Sequence, residues 1–278
     1  MLDDKLFVGT SGWNHDNWND KVYPPSLNKD ERLSFLYNEK GISLVELDEI
    51  FTSKFDSNYI QKVLEIAPAD MKFTLKVPYL LSVKILTSNG TILRDEKSMK
   101  EFLLAIEPLI KEDRLTAING EFSPRHKKSE DTVEHLKWFI NQFRFTSKLC
   151  LTFNCDSWLT PTTFELISSL DANVAYFDKP KLAGGRFLKL TSPCNQINFI
   201  KFSGQSQDWF STSSSKRYDY LYSIDELRQF IWPVKKIFEA GQTSSIIFAN
   251  GTNGYSIENA MDFGVMLKES LAVQDNLS

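Results

Sequence analysis

A chain of 278 residues with 42% hydrophobic and 24% charged side chains has the apolar content for one large core, which excludes disordered and fibrous classes. Its formal net charge of −4 lacks the basic excess that binds phosphate backbones, so nucleic acid is not the default partner. No run approaches the roughly 18 apolar residues of a membrane span, and Met1-Leu2-Asp3-Asp4-Lys5 is too acidic and short to open a secretory leader. A cytoplasmic protein without membrane association is expected.

In chain order, short β-rich runs alternate with helical periods, the pattern of parallel strands joined by crossover helices. Eight strands are predicted: Lys5 to Gly9, Leu44 to Leu47, Lys72 to Val77, Leu115 to Gly120, Lys148 to Phe153, Val174 to Asp178, Asn198 to Phe202, and Ser245 to Ala249. Most are apolar at consecutive positions, which suits strands covered on both faces.

Between the third and fourth strands, Phe102, Ile106, Leu109 and Ile110 recur at helical spacing. Val133, Leu136, Ile140 and Phe143 do so before the fifth strand, and Leu227, Phe230, Ile231, Val234 and Phe238 before the eighth; each stripe should pack on the sheet. Ser223 and Glu226 have capping-box spacing and mark a helix start. Pro233 inside the same period should kink that helix or set a boundary, because proline removes a backbone donor.

Two connections are long. Tyr79 to Asp95 precedes the third helix. Lys179 to Ile197 contains Pro180, Gly184, Gly185 and Pro193, so the sixth helix is expected to be irregular or missing; both stretches are possible lids. The whole of 1–278 reads as one domain, with a tail fraying after about Val273. Cys150, Cys155 and Cys194 form neither a disulfide framework nor a zinc spacing and read as small buried hydrophobes. Neither a Walker loop nor a Gly-x-Gly-x-x-Gly occurs. With only His15, His126 and His135 as imidazoles, no cofactor or metal site is evident.

The first strand runs into Val8-Gly9-Thr10-Ser11-Gly12-Trp13, followed by Trp18 and Tyr23-Pro24. Further along come Val45-Glu46-Leu47-Asp48 with Phe51, Phe73 to Pro78 around Lys76, Ser157-Trp158, Asp178-Lys179-Pro180, Tyr218 to Leu227, and Asn259-Ala260. Together these resemble the YecE-like proteins, domain of unknown function 72, over nearly the whole chain. The resemblance implies an α/β fold of the (β/α)8 triose-phosphate-isomerase type, in agreement with the strand count. Where many such proteins read Glu-Phe-Arg-His, this chain has Thr152-Phe153-Asn154-Cys155. Where they carry an Arg and a His on the seventh strand, Lys201 and Ser203 stand here, before Gly204. A mechanism using those histidines as bases could not operate unchanged, because neither cysteine nor serine has a conjugate base titrating near neutrality.

Such barrels bind ligands at the C-terminal ends of their strands. Lys76, Glu46 and Asp48 are the catalytic candidates: burial would lower the lysine's pKa and favour a nucleophilic or Schiff-base role, and the two carboxylates share a strand face. An ion pair between Lys76 and Glu46 is the structural alternative. Thr10, Trp13, Trp18, Glu121, Asn154, Trp158, Asp178, Lys201, Ser203 and Asn250 are the candidate ligand-binding residues. Trp13, Trp18, Trp158 and Trp209 would form a stacking floor if their faces were open, and loop packing if not. The run Arg125-His126-Lys127-Lys128 reads as solvated surface or as a phosphate contact.

Three functions compete: an enzyme or enzyme-derived barrel binding a small polar or anionic metabolite, with Lys76 and Lys201 supplying charge; a noncatalytic module with a decayed site; and a nucleic-acid binder by analogy with barrel endonucleases.

Overall fold

The computed structural model describes residues 5–48, 57–85, 90–180, 196–239 and 242–275. Among them, nine parallel strands form one sheet: β1 (Leu6–Ser11), β2 (Leu44–Leu47), β3 (Lys72–Lys76), β4 (Leu115–Phe122), β5 (Leu149–Phe153), β6 (Asn173–Val174), β7 (Tyr176–Asp178), β8 (Ile197–Phe202) and β9 (Thr243–Phe248). Their order is β6-β5-β4-β3-β2-β1-β9-β8-β7. The eight expected strands become nine because the sixth is broken at Ala175. Its first half pairs with β5 and its second with β8, so the sheet curls into a nearly closed barrel. The Asn173 side chain stitches the seam, donating to Ser147 O at 2.9 Å and Leu149 O at 3.0 Å while accepting from the Gln196 and Ile197 amides.

Helices surround the sheet: α1 (Arg32–Lys40), α2 (Ser57–Ile66), a short α3 (Tyr79–Ser82), α4 (Glu96–Lys111), α5 (Glu130–Gln142), α6 (Pro161–Ser169), a short α7 (Ser214–Arg217), α8 (Ile224–Glu239) and α9 (Tyr255–Asp275). The stripes bury as expected: Phe102, Ile106 and Leu109 on α4, Leu136 and Ile140 on α5, and Leu227, Ile231 and Val234 on α8 lie in one cluster with the outward strand residues. The Ser223 box forms, with the Glu226 amide donating to Ser223 Oγ and the Ser223 amide to Glu226 Oε2. Of the two outcomes expected at Pro233, a boundary does not occur: α8 continues to Glu239, because the buried stripe on both sides of the proline outweighs one lost backbone bond. The long connection after Tyr79 opens with α3, while the sixth crossover and Cys194 fall within 181–195, outside the described residues. Cys150 is buried and Cys155 half-buried, both as free thiols. No helix among the described residues is long and apolar enough to cross a membrane.

A second cluster of Leu44, Ala117, Cys150, Ala175, Phe199 and Ile247 fills the barrel interior. Because strand side chains alternate with period two, this layer fixes what lies above it on the inward face: Glu46, Asn119, Thr152, Phe177 and Lys201, then Asp48, Glu121, Asn154 and Lys179. An apolar floor therefore carries a polar top. Gly9 admits the close approach of β2, since a Cβ there would lie 1.7 Å from Leu44 O.

His126 and His135 sit on the helix side of β4, 1% and 0% exposed, with ring centroids 5.9 Å apart among Phe122, Trp158 and Trp138. None of their four ring nitrogens has a hydrogen-bond partner among the described residues. Burial lowers His126 to about 4, while burial followed by the charges of His126 and Arg94 lowers His135 to about 3. The unfolded chain protonates both near 6.5, so it holds more protons over that window. Their contribution to stability is complete above about pH 6.5 and lost as pH falls towards 4 and then 3. The unfolding free energy from urea titrations should drop between pH 7 and 4.5, by at most about 2–3 kcal/mol per histidine, and His135→Phe should flatten the dependence; parallel curves for variant and wild type would contradict this.

Candidate functional site

Ser11, at the end of β1, donates from Oγ to Glu46 Oε2 at 2.6 Å. Lys201, reaching across from β8, donates to the same oxygen. Glu46 is 0% exposed. Such a carboxylate cannot stay charged without compensation. Burial alone would raise its pKa, but Lys201 and Lys76, with the bonds from Lys201 and Ser11, bring it below the usual carboxylate range. Its other oxygen, Oε1, has no hydrogen-bond partner among the described residues.

On the opposite wall, Lys76 Nζ lies 3.5 Å from Glu121 Oε2. Glu121 Oε1 accepts from Asn154 Nδ2 at 2.9 Å, and Asn154 Oδ1 accepts from Lys179 Nζ. Beneath this chain Thr152 donates to Asn119 Oδ1 at 2.8 Å. The result is a polar ring that alternates cations with acceptors, built from β1, β2, β3, β4, β8 and the residues just beyond β5 and β7.

The lysines differ. Burial pulls Lys76 down, yet Glu121 and Glu46, with Tyr218 and Asp48, push it above its ordinary value, so the expected pKa depression is reversed and a neutral Lys76 nucleophile is disfavoured. Lys201 and Lys179 are lowered, mainly by burial, with Glu46 and Glu121 respectively opposing and Lys76 adding repulsion to each. Asp48 is half-buried, and its carboxyl is raised by burial and by Glu46, against His15, Lys201 and Lys76.

His15, which the sequence reading set aside, stands beside Asp48. A Cβ on Gly12 would lie 2.4 Å from His15 Nε2 and 2.9 Å from Asp48 Oδ1, and Gly12 has φ +74°, a conformation that favours glycine. His15 Nε2 also lies 3.0 Å from Ser11 O.

The structure thus brings Glu46, Asp48, Lys76, Glu121, Asn154 and Lys201 to one mouth. Thr10, Asp178 and Asn250 fall elsewhere because alternation sends their neighbours inward instead, while Ser203 shares the parity of Lys201 but lies beyond the end of β8. Thr10 is buried on the helix side with Oγ1 on Gly12 O, and Ser11 takes the inward place. Asp178 accepts from Tyr222 OH at 2.6 Å and Gln205 Nε2 at 2.7 Å, and Lys179 takes the inward place. Ser203 is buried, its amide on Asp178 O. Asn250 donates to Tyr220 O and to Asn259 Oδ1, bracing α9.

The stacking floor does not form. Trp13, Trp18 and Trp158 are 5%, 0% and 1% exposed, and the last two anchor loops through Nε1 bonds to Gly251 O and His126 O. Trp209 is half-buried, edge-on to Tyr218. The basic run is not one surface either: His126 faces the core and Lys128 Nζ binds Thr160, Thr162 and Thr163. Among the described residues no group of three or more His, Cys, Asp or Glu side chains is placed to hold a metal.

Fold and site together define a triose-phosphate-isomerase-type α/β barrel with a charged mouth at the strand C-termini. Within that class, the sequence matches the family described as "Protein of unknown function DUF72" over residues 7–277, and the chain belongs to it. A DUF72 family protein from Thermotoga maritima is similar at 27% identity and TM-score 0.84, with 95% of this chain and 99% of that one covered. One from Enterococcus faecalis is similar at 17% identity and TM-score 0.78, with 95% of each chain covered. No curated protein matches the sequence.

Lys201→Met strands the buried Glu46 charge and should cost about 3–5 kcal/mol in urea unfolding, whereas Glu46→Gln combined with Lys201→Met should recover most of it. Additive losses in the double variant would show that the two residues do not act as a pair.

Proposed function

We propose that the chain binds a small polar anion at the barrel mouth, as an enzyme or a protein derived from one, with Lys76, Lys179 and Lys201 supplying the attraction. The observation that carries this reading is the convergence of three lysines on one mouth, with Lys201 on Glu46, Lys76 on Glu121 and Lys179 on Asn154; burial lowers Lys179 and Lys201, and Lys76 adds to this in each. Like charges gathered in a low-dielectric cleft repel one another, and an anion placed among them offsets that cost. Among the described residues Lys179 has one of its three ammonium donors on Asn154 and lies 4.5 Å from the Phe177 ring centroid, which leaves donor capacity for a ligand.

The decayed-site alternative is less well supported. Thr152 and Asn154, which stand where many relatives carry ionisable groups, are bonded into the mouth through Asn119, Glu121 and Lys179. Replacements integrated in this way favour a retained site with altered chemistry. A nucleic-acid role gains no support from a basic run whose members point in different directions.

The test is a thermal-shift comparison of wild type with Lys179→Met against sugar acids, sugar phosphates, inorganic phosphate, nucleotides and short oligonucleotides. A bound anion at a hundred times its Kd should stabilise the native state by about 2.7 kcal/mol, and the variant should lose most of that. Stabilisation by no small anion, or an undiminished shift in the variant, would overturn the reading.

A further inference from the structure

Two neighbouring acidic side chains on β2's inward face are treated very differently by the fold. Glu46 receives both Ser11 and Lys201. Asp48, one step nearer the opening and only half-buried, has neither a hydrogen bond nor an ion pair among the described residues. Asp48 Oδ1 and the His15 ring both lie over Gly12, where a Cβ would come within 2.9 Å and 2.4 Å of them. A reachable carboxyl group in the mouth with no protein donor on it can accept a hydrogen bond from a ligand.

The surrounding charges select the donor. His15, Lys201 and Lys76 already act on Asp48 from the positive side, against Glu46 from the negative side, so a ligand ammonium would enter a field of like charges, whereas a neutral hydroxyl would not. A bare anion is also disfavoured there, being repelled by Asp48 and Glu46. Lys76 and Lys179 stand together on the other wall, with Glu121 as the carboxylate partner of the first and the neutral Asn154 as the partner of the second.

We propose that the ligand is a hydroxylated anion, a sugar acid or sugar phosphate in chemical class, with its charged group towards Lys179 and Lys76 and a hydroxyl donating to Asp48. This rests on the anion reading above and adds to it the hydroxyl contact and the ligand's orientation. It also gives Gly12 a role, since only a residue without a side chain leaves Asp48 and His15 where they stand.

Calorimetric titration of the full chain with matched probes tests it: D-gluconate against hexanoate, and glycerol 3-phosphate against propyl phosphate, with sorbitol as the uncharged polyol. The two pairs distinguish a carboxylate from a phosphate as the charged group. Within the pair that binds, the hydroxylated member should bind about tenfold tighter or more, as expected for a hydrogen bond to a charged group. Asp48→Ala should remove that advantage without weakening the deoxy member, with Asp48→Asn intermediate, while Lys179→Met should weaken both members alike. Equal binding of the two members, or an advantage that survives in Asp48→Ala, overturns the hydroxyl contact and leaves the anion reading standing. Sorbitol binding as tightly as gluconate, or no probe binding at all, overturns both. Unchanged urea midpoints in the Asp48 variants confirm that affinity rather than folding has been altered.

Discussion

The constraint on which the mouth depends is the burial of the Glu46 carboxylate. A charge with no exposure must be met by a cation and donors or it will not remain charged, and Glu46 draws Lys201 across the barrel from β8 and Ser11 from β1. Those side chains reach it because the strands are pulled into register around an apolar plug of Leu44, Ala117, Cys150, Ala175, Phe199 and Ile247. The plug positions the polar layer, and the polar layer closes the mouth.

On the far wall the same logic runs through one neutral link, Asn154, between a carboxylate and an ammonium. Glu121 holds Lys76, and Asn154 connects Glu121 to Lys179. A carboxamide suits that place because it donates to a carboxylate from one end and accepts from an ammonium at the other. Each lysine is therefore oriented by a partner, and pre-set charges cost less to use than mobile ones when a ligand arrives.

The large aromatic residues serve the scaffold. Trp18 and Trp158 are fully inside, each with its indole N–H on a loop carbonyl, so they pin the β1–α1 and β4–α5 connections against the helix layer. His126 and His135 share the second of these anchors. Their rings, without hydrogen-bond partners among the described residues, make that wall sensitive to acid, on the helix side and away from the lysines of the mouth.

The sequence alone determined the α/β barrel, most strand positions and the buried stripes of α4, α5 and α8, because periods of two and of 3.6 are local properties of the chain. It also marked Glu46, Asp48, Lys76, Glu121, Asn154 and Lys201 as strand-end groups. What it left open was register and partnership. Thr10 and Asp178 were chosen where Ser11 and Lys179 face inward, since a strand boundary misplaced by one residue exchanges the two faces. Tryptophan burial was undecided because an indole's composition is the same in a core and on a binding floor. His15 carried no local signal at all. Only the tertiary structure sets His15 beside Asp48, pairs Lys201 with Glu46 from distant strands, and makes Lys76 more basic rather than less, because a pKa depends on charges that are neighbours in space and not along the chain.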